Sequence, residues 1–175
     1  MLFYVVSMFM LIVYLKVNNF VFADESGLNR EYRRLYARAK RGIKVHDTRP
    51  GRRQKRTNII GALCNGKHIA MQCYEHSTKA LFFEDWFEWE LIPLLPENSV
   101  VIMDNASFHR KNVLRIIAEK YGVYVLFLPP YLPEFNPIEY SWANFKEWLK
   151  YNFARFSCFD FAIEAYFEKT YFLTD

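Results

Sequence analysis

Two stretches decide the fold: Val100–His109, VVIMDNASFH, and Leu128–Trp142, LPPYLPEFNPIEYSW. In the first, four apolar residues run straight into an acid, Asp104. A short unbroken apolar run that ends at a turn signal reads as a strand covered on both faces, here Val100–Met103. In the second, Asn136 and Pro137 suit the N-cap and first position of a helix, which puts Glu139 at its third position. A further acid, Asp24, ends the apolar run Val21-Phe22-Ala23. Three carboxylates thus stand where apolar elements end or begin. Hard cations such as Mg²⁺ take oxygen ligands, and phosphoryl-transfer sites use a few carboxylates together with substrate phosphates. The three acids therefore suggest a divalent-metal site.

Working outward, Asn19–Asp24 reads as a strand, with Val21 and Ala23 on one face and Phe22 on the other. Glu25-Ser26-Gly27 is expected to break it. Asn58–Leu63 and His68–Tyr74 flank Asn65-Gly66, a strong hairpin signal. Thr78–Ile92 reads as a helix through Leu81, Phe82, Trp86, Trp89 and Ile92, stopped by Pro93 and Pro96. Arg110–Tyr121 is an amphipathic helix through Val113, Leu114, Ile117 and Tyr121, with Gly122 as its stop. Val123–Leu128 is the next buried strand, and Pro129–Phe135 a loop. The helix that opens at Pro137 runs to about Tyr151 on the stripe Ile138, Trp142, Phe145 and Leu149. A last helix covers about Cys158–Tyr171. Strands first, then strand–helix–strand–helix, make an α/β chain: a mixed sheet flanked by helices. Sites in open α/β sheets collect at the carboxyl ends of strands, where Asp104 and Asp24 fall.

The 175 residues suffice for one domain with a single core. With 52% hydrophobic and 24% charged residues, the composition excludes a disordered chain. Leu2–Leu15 is almost wholly apolar, yet Lys16 ends it after 14 residues. A membrane span needs about 20, and neither a positive start nor a cleavage site marks a signal peptide. Residues 1–18 are set apart as an apolar N-terminal segment whose role the sequence leaves open, an extra strand or helix packed on the core or an unusual start on a shortened chain. Residues 19–175 form the main domain, and no stable membrane association is expected. Cys64, Cys73 and Cys158 form no C-x-x-C, which fits a reducing compartment. His46, His68, His76 and His109 lack zinc spacing.

The net charge of +4 conceals an asymmetry. Arg30–Arg56 holds 12 of the 23 Lys and Arg against Glu31 and Asp47, so this strip carries +10 and the remainder −6. Such a strip suits a polyanion, although a solvated loop without a partner has the same composition. Lys40 and Arg41, before Gly42, and Arg52, Arg53, Lys55 and Arg56 are the candidate phosphate contacts. Such contacts position DNA without reading its sequence.

Asp24-Glu25-Ser26-Gly27, then Asp104-Asn105-Ala106 with His109, then Pro129-Pro130-Tyr131 running to Asn136-Pro137-Ile138-Glu139, together resemble the catalytic core of bacterial insertion-sequence transposases of the mariner superfamily. Residues 105–138, 34 in all, separate the second acid from the third, a spacing typical of that superfamily. The resemblance runs from Asn19 to about Lys150. Leu132 departs from it, standing where relatives usually carry a small polar residue. The resemblance implies a ribonuclease H-like fold that gathers Asp24, Asp104 and Glu139 into a DDE triad for Mg²⁺ or Mn²⁺, with two ions the expected number. Water would attack the phosphodiester at an element end, and the freed 3′-hydroxyl would attack target DNA. His109 is a secondary site residue in this reading. Double-stranded DNA is the implied partner, a homodimer is allowed, and the implied location is the cytoplasm, at the nucleoid. Relatives carry helix-turn-helix domains ahead of the first Asp. Only 23 residues precede Asp24, too few for one, so a shortened chain is expected.

Each acid also has a structural reading. Glu139 at the third helical position can serve as a capping-box partner and complement the helix dipole. Asp104 can form a turn before Asn105, and Asp24 can cap the turn after it. His109 can orient a phosphate or a water, or cap the following helix. Glu25 competes with Asp24 for a metal, although strand alternation turns it to the other face. A ribonuclease H-type nuclease and a non-catalytic DNA-binding remnant are the competing functions. The joint match to three spaced motifs favours the transposase.

Overall fold

In the computed structural model, which describes residues 19–29, 39–44, 56–129 and 136–172, the chain is built around one long strand, β1 (Asn19–Asn29). Outside the described residues lie segment 1–18, most of the expected loop Pro129–Phe135 with Leu132, and Arg52, Arg53 and Lys55 of the basic strip.

Five strands form one sheet in the order β3-β2-β1-β4-β5. β2 (Arg56–Cys64) and β3 (Lys67–Tyr74) continue from β1 antiparallel. β4 (Ser99–Met103) and β5 (Tyr124–Phe127) lie parallel on its other side. The β2–β3 turn holds Asn65 at φ 50° and Gly66 at φ 78°. Two positive φ values at the centre of a two-residue loop are what a right-twisted hairpin requires.

β1 does not end at Asp24. It runs five residues further, to Asn29, with Ser26 and Leu28 buried. Glu25-Ser26-Gly27 resembles a breaker in isolation, but β2 pairs with β1 along the whole length from Val21↔Cys64 to Asn29↔Arg56, and that ladder holds the segment extended. β4 pairs only with Asn19–Ala23 and stops at Met103. Asp24 and Asp104 are therefore the first residues beyond the end of one parallel ladder, side by side at its carboxyl edge.

Helices cover both faces. Val21, Ala23, Val101 and Met103 pack with residues 83–92 and with Leu114, Ile117 and Ala118 of α2 (Lys111–Lys120). On the opposite face, Leu28 and Ile59 pack under α3 (Pro137–Asn152) and α4 (Phe159–Phe172). The α3 stripe is as the spacing predicts: Ile138, Trp142, Phe145 and Leu149 are all buried. α2 stops in a Schellman turn. Val123 N–H bonds the Ala118 carbonyl at 3.0 Å, Gly122 N–H bonds that of Glu119 at 3.2 Å, and Gly122 sits at φ 67°.

Three further expectations need correction. The helix expected over Thr78–Ile92 is α1 (Ala80–Asp85) followed by a π-turn, Trp86–Leu91, and a 3₁₀ turn, Ile92–Leu94. Phe83, Phe87 and Leu91, four residues apart, are buried, while Leu81 of α1 and Trp89 of the π-turn are exposed. β5 is an edge strand, paired only with β4 among the described strands, and is partly buried with Tyr124 exposed. Asn136 precedes α3, but its side chain caps nothing. Its own carbonyl takes the Glu139 N–H at 3.1 Å, and Pro137 offers no donor. The buried Asn136 amide has no hydrogen-bond partner.

Candidate active site

Alternation along β1 separates its two neighbouring acids. Asp24 faces α3, where Trp142 Nε1–H donates to its Oδ2 at 3.1 Å. Burial pushes the Asp24 carboxyl up to about 7. The charge of Glu25 adds to this, as do those of Asp104 and Glu139, while a backbone hydrogen bond from Glu25 acts the other way. Both partner acids named from the sequence thus lie near enough to act electrostatically on Asp24.

Asp104 is half exposed. Its Oδ1 accepts the Ala106 N–H at 3.0 Å, so it does form the turn after β4 as well. His109 Nδ1 stands 3.2 Å from the Asp104 carbonyl oxygen and 3.3 Å from its Oδ1. The imidazole is buried against Phe83 and Phe108, with ring centroids at 4.3 and 4.5 Å. It does not cap α2, whose N-cap position belongs to Arg110. Its Nε2 points instead toward Glu25 Oε1, 3.6 Å away. Neither of those two buried atoms has a hydrogen-bond partner.

Glu139 is exposed at the third position of α3, and its backbone N–H is already taken by Asn136. Its carboxylate is free of the reciprocal capping arrangement, since the Asn136 side chain makes no cap bond. Among the described residues, no three His, Cys, Asp or Glu side chains stand close enough to hold a metal ion. Asp24, Asp104 and Glu139 are neighbours, then, but not a closed cage. Carboxylates without a cation between them repel one another.

Of the candidate phosphate contacts, Lys40 and Arg41 are exposed in a turn closed by Ile43 N–H on the Lys40 carbonyl at 3.0 Å. Arg56 is exposed at the start of β2, and its guanidinium covers Gly27, where a Cβ would come within 1.8 Å of Nη2. Three residues near the acids escaped the sequence reading. Trp142 appeared there only as core. Gly61 lies directly opposite Asp24 in the β1–β2 ladder. The Lys146 ammonium is pushed down by partial burial, drawn up by Asp24 and pushed down again by Arg56. Lys146 lies one turn beyond Trp142 and two beyond Glu139 on α3, so helical spacing alone could have nominated it.

No curated protein matches the chain in sequence. Among solved structures, Mos1 transposase in a paired-end complex with left transposon end superposes with a TM-score of 0.66 at 17% identity, over 95% of this chain and 52% of that one. The catalytic domain of Mos1 mariner transposase gives 0.55 at 14%, over 98% and 76%. The HTLV-2 integrase catalytic core domain in complex with magnesium gives 0.52 at 13%, over 85% and 81%. At such identities the likeness shows the fold, a ribonuclease H-like mixed sheet flanked by helices. This chain spans about half the length of the Mos1 transposase in its paired-end complex. The family model described as DDE superfamily endonuclease matches residues 19–161. That match takes in most of the chain and all three acids at the carboxyl edge of the sheet, and the chain belongs to the DDE superfamily endonucleases.

Proposed function

We propose that this chain cuts DNA at the ends of a mobile element and joins the freed 3′ ends to target DNA, with Asp24, Asp104 and Glu139 as the acids that hold its metal. The observation that carries this reading is the carboxyl of Asp24, raised to about 7 by burial beside three other acids. A buried carboxyl beside other acids is costly to ionise without a cation, and perturbed carboxyls in such surroundings mark functional sites.

The donor set fits the metal. DDE enzymes use divalent metals. All three ligands would be hard oxygens, and an open set suits Mg²⁺, which keeps waters and takes one or two carboxylates plus substrate phosphates. When bound, Mg²⁺ or Mn²⁺ would activate the attacking oxygen and relieve charge on the leaving one, and two ions can divide these tasks. Asp24 and Asp104 supply charge from fixed positions at the end of the parallel ladder. Glu139 supplies it from the first turn of α3. His109 braces Asp104 through Nδ1. Lys40, Arg41, Arg52, Arg53, Lys55 and Arg56 bind the phosphate backbone, and Lys146 adds a cation beside Asp24.

Support for DNA as partner comes from the Mos1 paired-end complex with left transposon end. Paired-end complexes of Mos1 are known with Mn and with Mg. The integrase core with magnesium is a dimeric form, and a homodimer belongs to the same proposal here. Residues 19–175 are proposed as the catalytic domain. No helix among the described residues is long and apolar enough to cross a membrane, and a cytoplasmic, nucleoid-associated enzyme is the reading adopted.

The test is nicking of supercoiled plasmid by the full chain in Mn²⁺. Wild type is expected to nick, and chelation is expected to stop it. Asp104→Asn should abolish nicking with an unchanged circular dichroism spectrum. Equal nicking by Asp104→Asn would remove the triad assignment.

A further inference from the structure

We propose that Trp142 is a positioning residue for Asp24. Its hydrogen bond would fix the orientation of the Asp24 carboxylate before a cation arrives. The inference rests on the metal role given to Asp24 above, and it adds a requirement that the three acids alone do not contain.

Three observations converge. First, the Trp142 indole is buried and its only polar atom is spent on Asp24 Oδ2, across 118 residues of sequence. An indole N–H donates and never accepts, so it pins a carboxylate without offering a proton-transfer route. Second, Gly61 faces Asp24 directly in the antiparallel ladder, where opposite residues share a face of the sheet. A Cβ on Gly61 would lie 3.5 Å from Trp142 Cη2 and 2.2 Å from Met71 Sδ. The β2–β3 register also slips between Ile60 and Ala62, at this same residue. A glycine at a slip in register marks a place where the sheet makes room for something to approach closely. What comes within clashing distance of a Cβ is the Met71 thioether, and the indole packs beside it in ordinary van der Waals contact. Third, Trp142 follows Glu139 by three residues on α3, so the two lie on neighbouring positions of one helix face. Anchoring Trp142 to Asp24 therefore also sets where Glu139 enters the site.

The plain alternative is that Trp142 is a core aromatic whose N–H found the nearest acceptor. The two readings differ in what Mn²⁺ feels. Trp142→Phe keeps an aromatic ring in the core and removes the donor. With Mn²⁺ alone as the probe, calorimetric titration of the full chain should show a dissociation constant at least about tenfold higher than wild type, as for other residues that orient metal ligands. Wild-type Mn²⁺ affinity in folded Trp142→Phe overturns the proposal. A measurement on the unmutated chain stands beside this one, since Trp142→Phe can also lose its fold. In the ¹⁵N-tryptophan spectrum, one indole N–H signal should move on titration with Mg²⁺ in wild type and stay in place in Asp24→Asn. If no indole signal moves, the proposal is likewise overturned. The two levels separate cleanly. Unchanged Mn²⁺ binding by Asp24→Asn ends the metal assignment and the positioning role with it. Lost binding in Asp24→Asn beside wild-type binding in Trp142→Phe ends the positioning role alone.

Discussion

Glu25 Oε1 stands 3.6 Å from His109 Nε2, on the face of β1 opposite Asp24. The other nitrogen of the same ring lies against Asp104. The two aspartates just beyond the parallel ladder are thus each held by a ring nitrogen, Asp24 from α3 and Asp104 from the loop ahead of α2. Glu25 is the buried acid behind the second brace.

This geometry separates Glu25 from the metal ligands. Glu25→Gln is expected to keep Mn²⁺ binding and to lose about 10- to 100-fold in cleavage rate, the usual cost of disturbing a group that orients a ligand. Asp24→Asn is expected to lose both. Calorimetry with Mn²⁺ beside a nicking assay makes the comparison. Loss of Mn²⁺ binding in Glu25→Gln would place Glu25 among the ligands.

At Glu139 the two readings of the sequence divide. Glutamine also serves at the third helical position, so Glu139→Gln should melt within about 2 °C of wild type. Its cleavage should fall by orders of magnitude, because the charge offered to a cation is gone. A folded Glu139→Gln chain with full activity would leave two catalytic acids and no third.

The Asp24 carboxyl makes stability depend on pH in a definite direction. Its folded value of about 7 lies above the ordinary 3.8, so the native state holds this proton more tightly than the unfolded chain. The stabilisation is complete below about pH 4 and is lost as pH rises through about 7. In metal-free buffer, the melting temperature of wild type should therefore fall over that window relative to Asp24→Asn. Added Mg²⁺ competes with the proton, and it should raise the wild-type melting temperature more at pH 8 than at pH 5. Parallel curves for wild type and Asp24→Asn would refute the shift.

Binding to duplex DNA should weaken steeply with salt as condensed counterions are released. Replacing Lys40, Arg41 and Arg56 with Ala should flatten the plot of log affinity against log salt by about 0.9 for each phosphate no longer neutralised. An unchanged slope in a filter-binding or anisotropy series would mean that these side chains face solvent in the complex.

What the sequence made legible was local. The α3 stripe Ile138, Trp142, Phe145 and Leu149, the Asn65-Gly66 hairpin and the Gly122 stop each depend on neighbours a few residues away, and each stands where the pattern put it. The positions of Asp104 just after β4 and of Glu139 in the first turn of α3 followed from the same signals, whereas Asp24 lies inside β1. The misreadings share a different cause. Ser26 and Leu28 are strand residues because β2, thirty residues on, pairs with them. Trp89 is exposed where a π-turn changes the helical period, and Leu81 lies on the outer side of α1. The Trp142–Asp24 bond and the space at Gly61 join three distant parts of the chain, and no window of sequence contains all three.

The three acids are also held by different means. Asp24 and Asp104 adjoin a backbone ladder, β1 on β4, whose spacing is set by hydrogen bonds and changes little short of unfolding. Glu139 rides on α3, which is seated on the sheet mainly through the side chains of one stripe. A seated helix can tilt or slide by fractions of an ångström that a ladder does not permit. The proposed catalytic centre therefore has a stiff half and a compliant half. Amide exchange should find the first turn of α3 opening at a lower free energy than β1 or β4. Under the proposed function, a phosphate drawn between the acids would bring the helix to the sheet, while the sheet stays where it is.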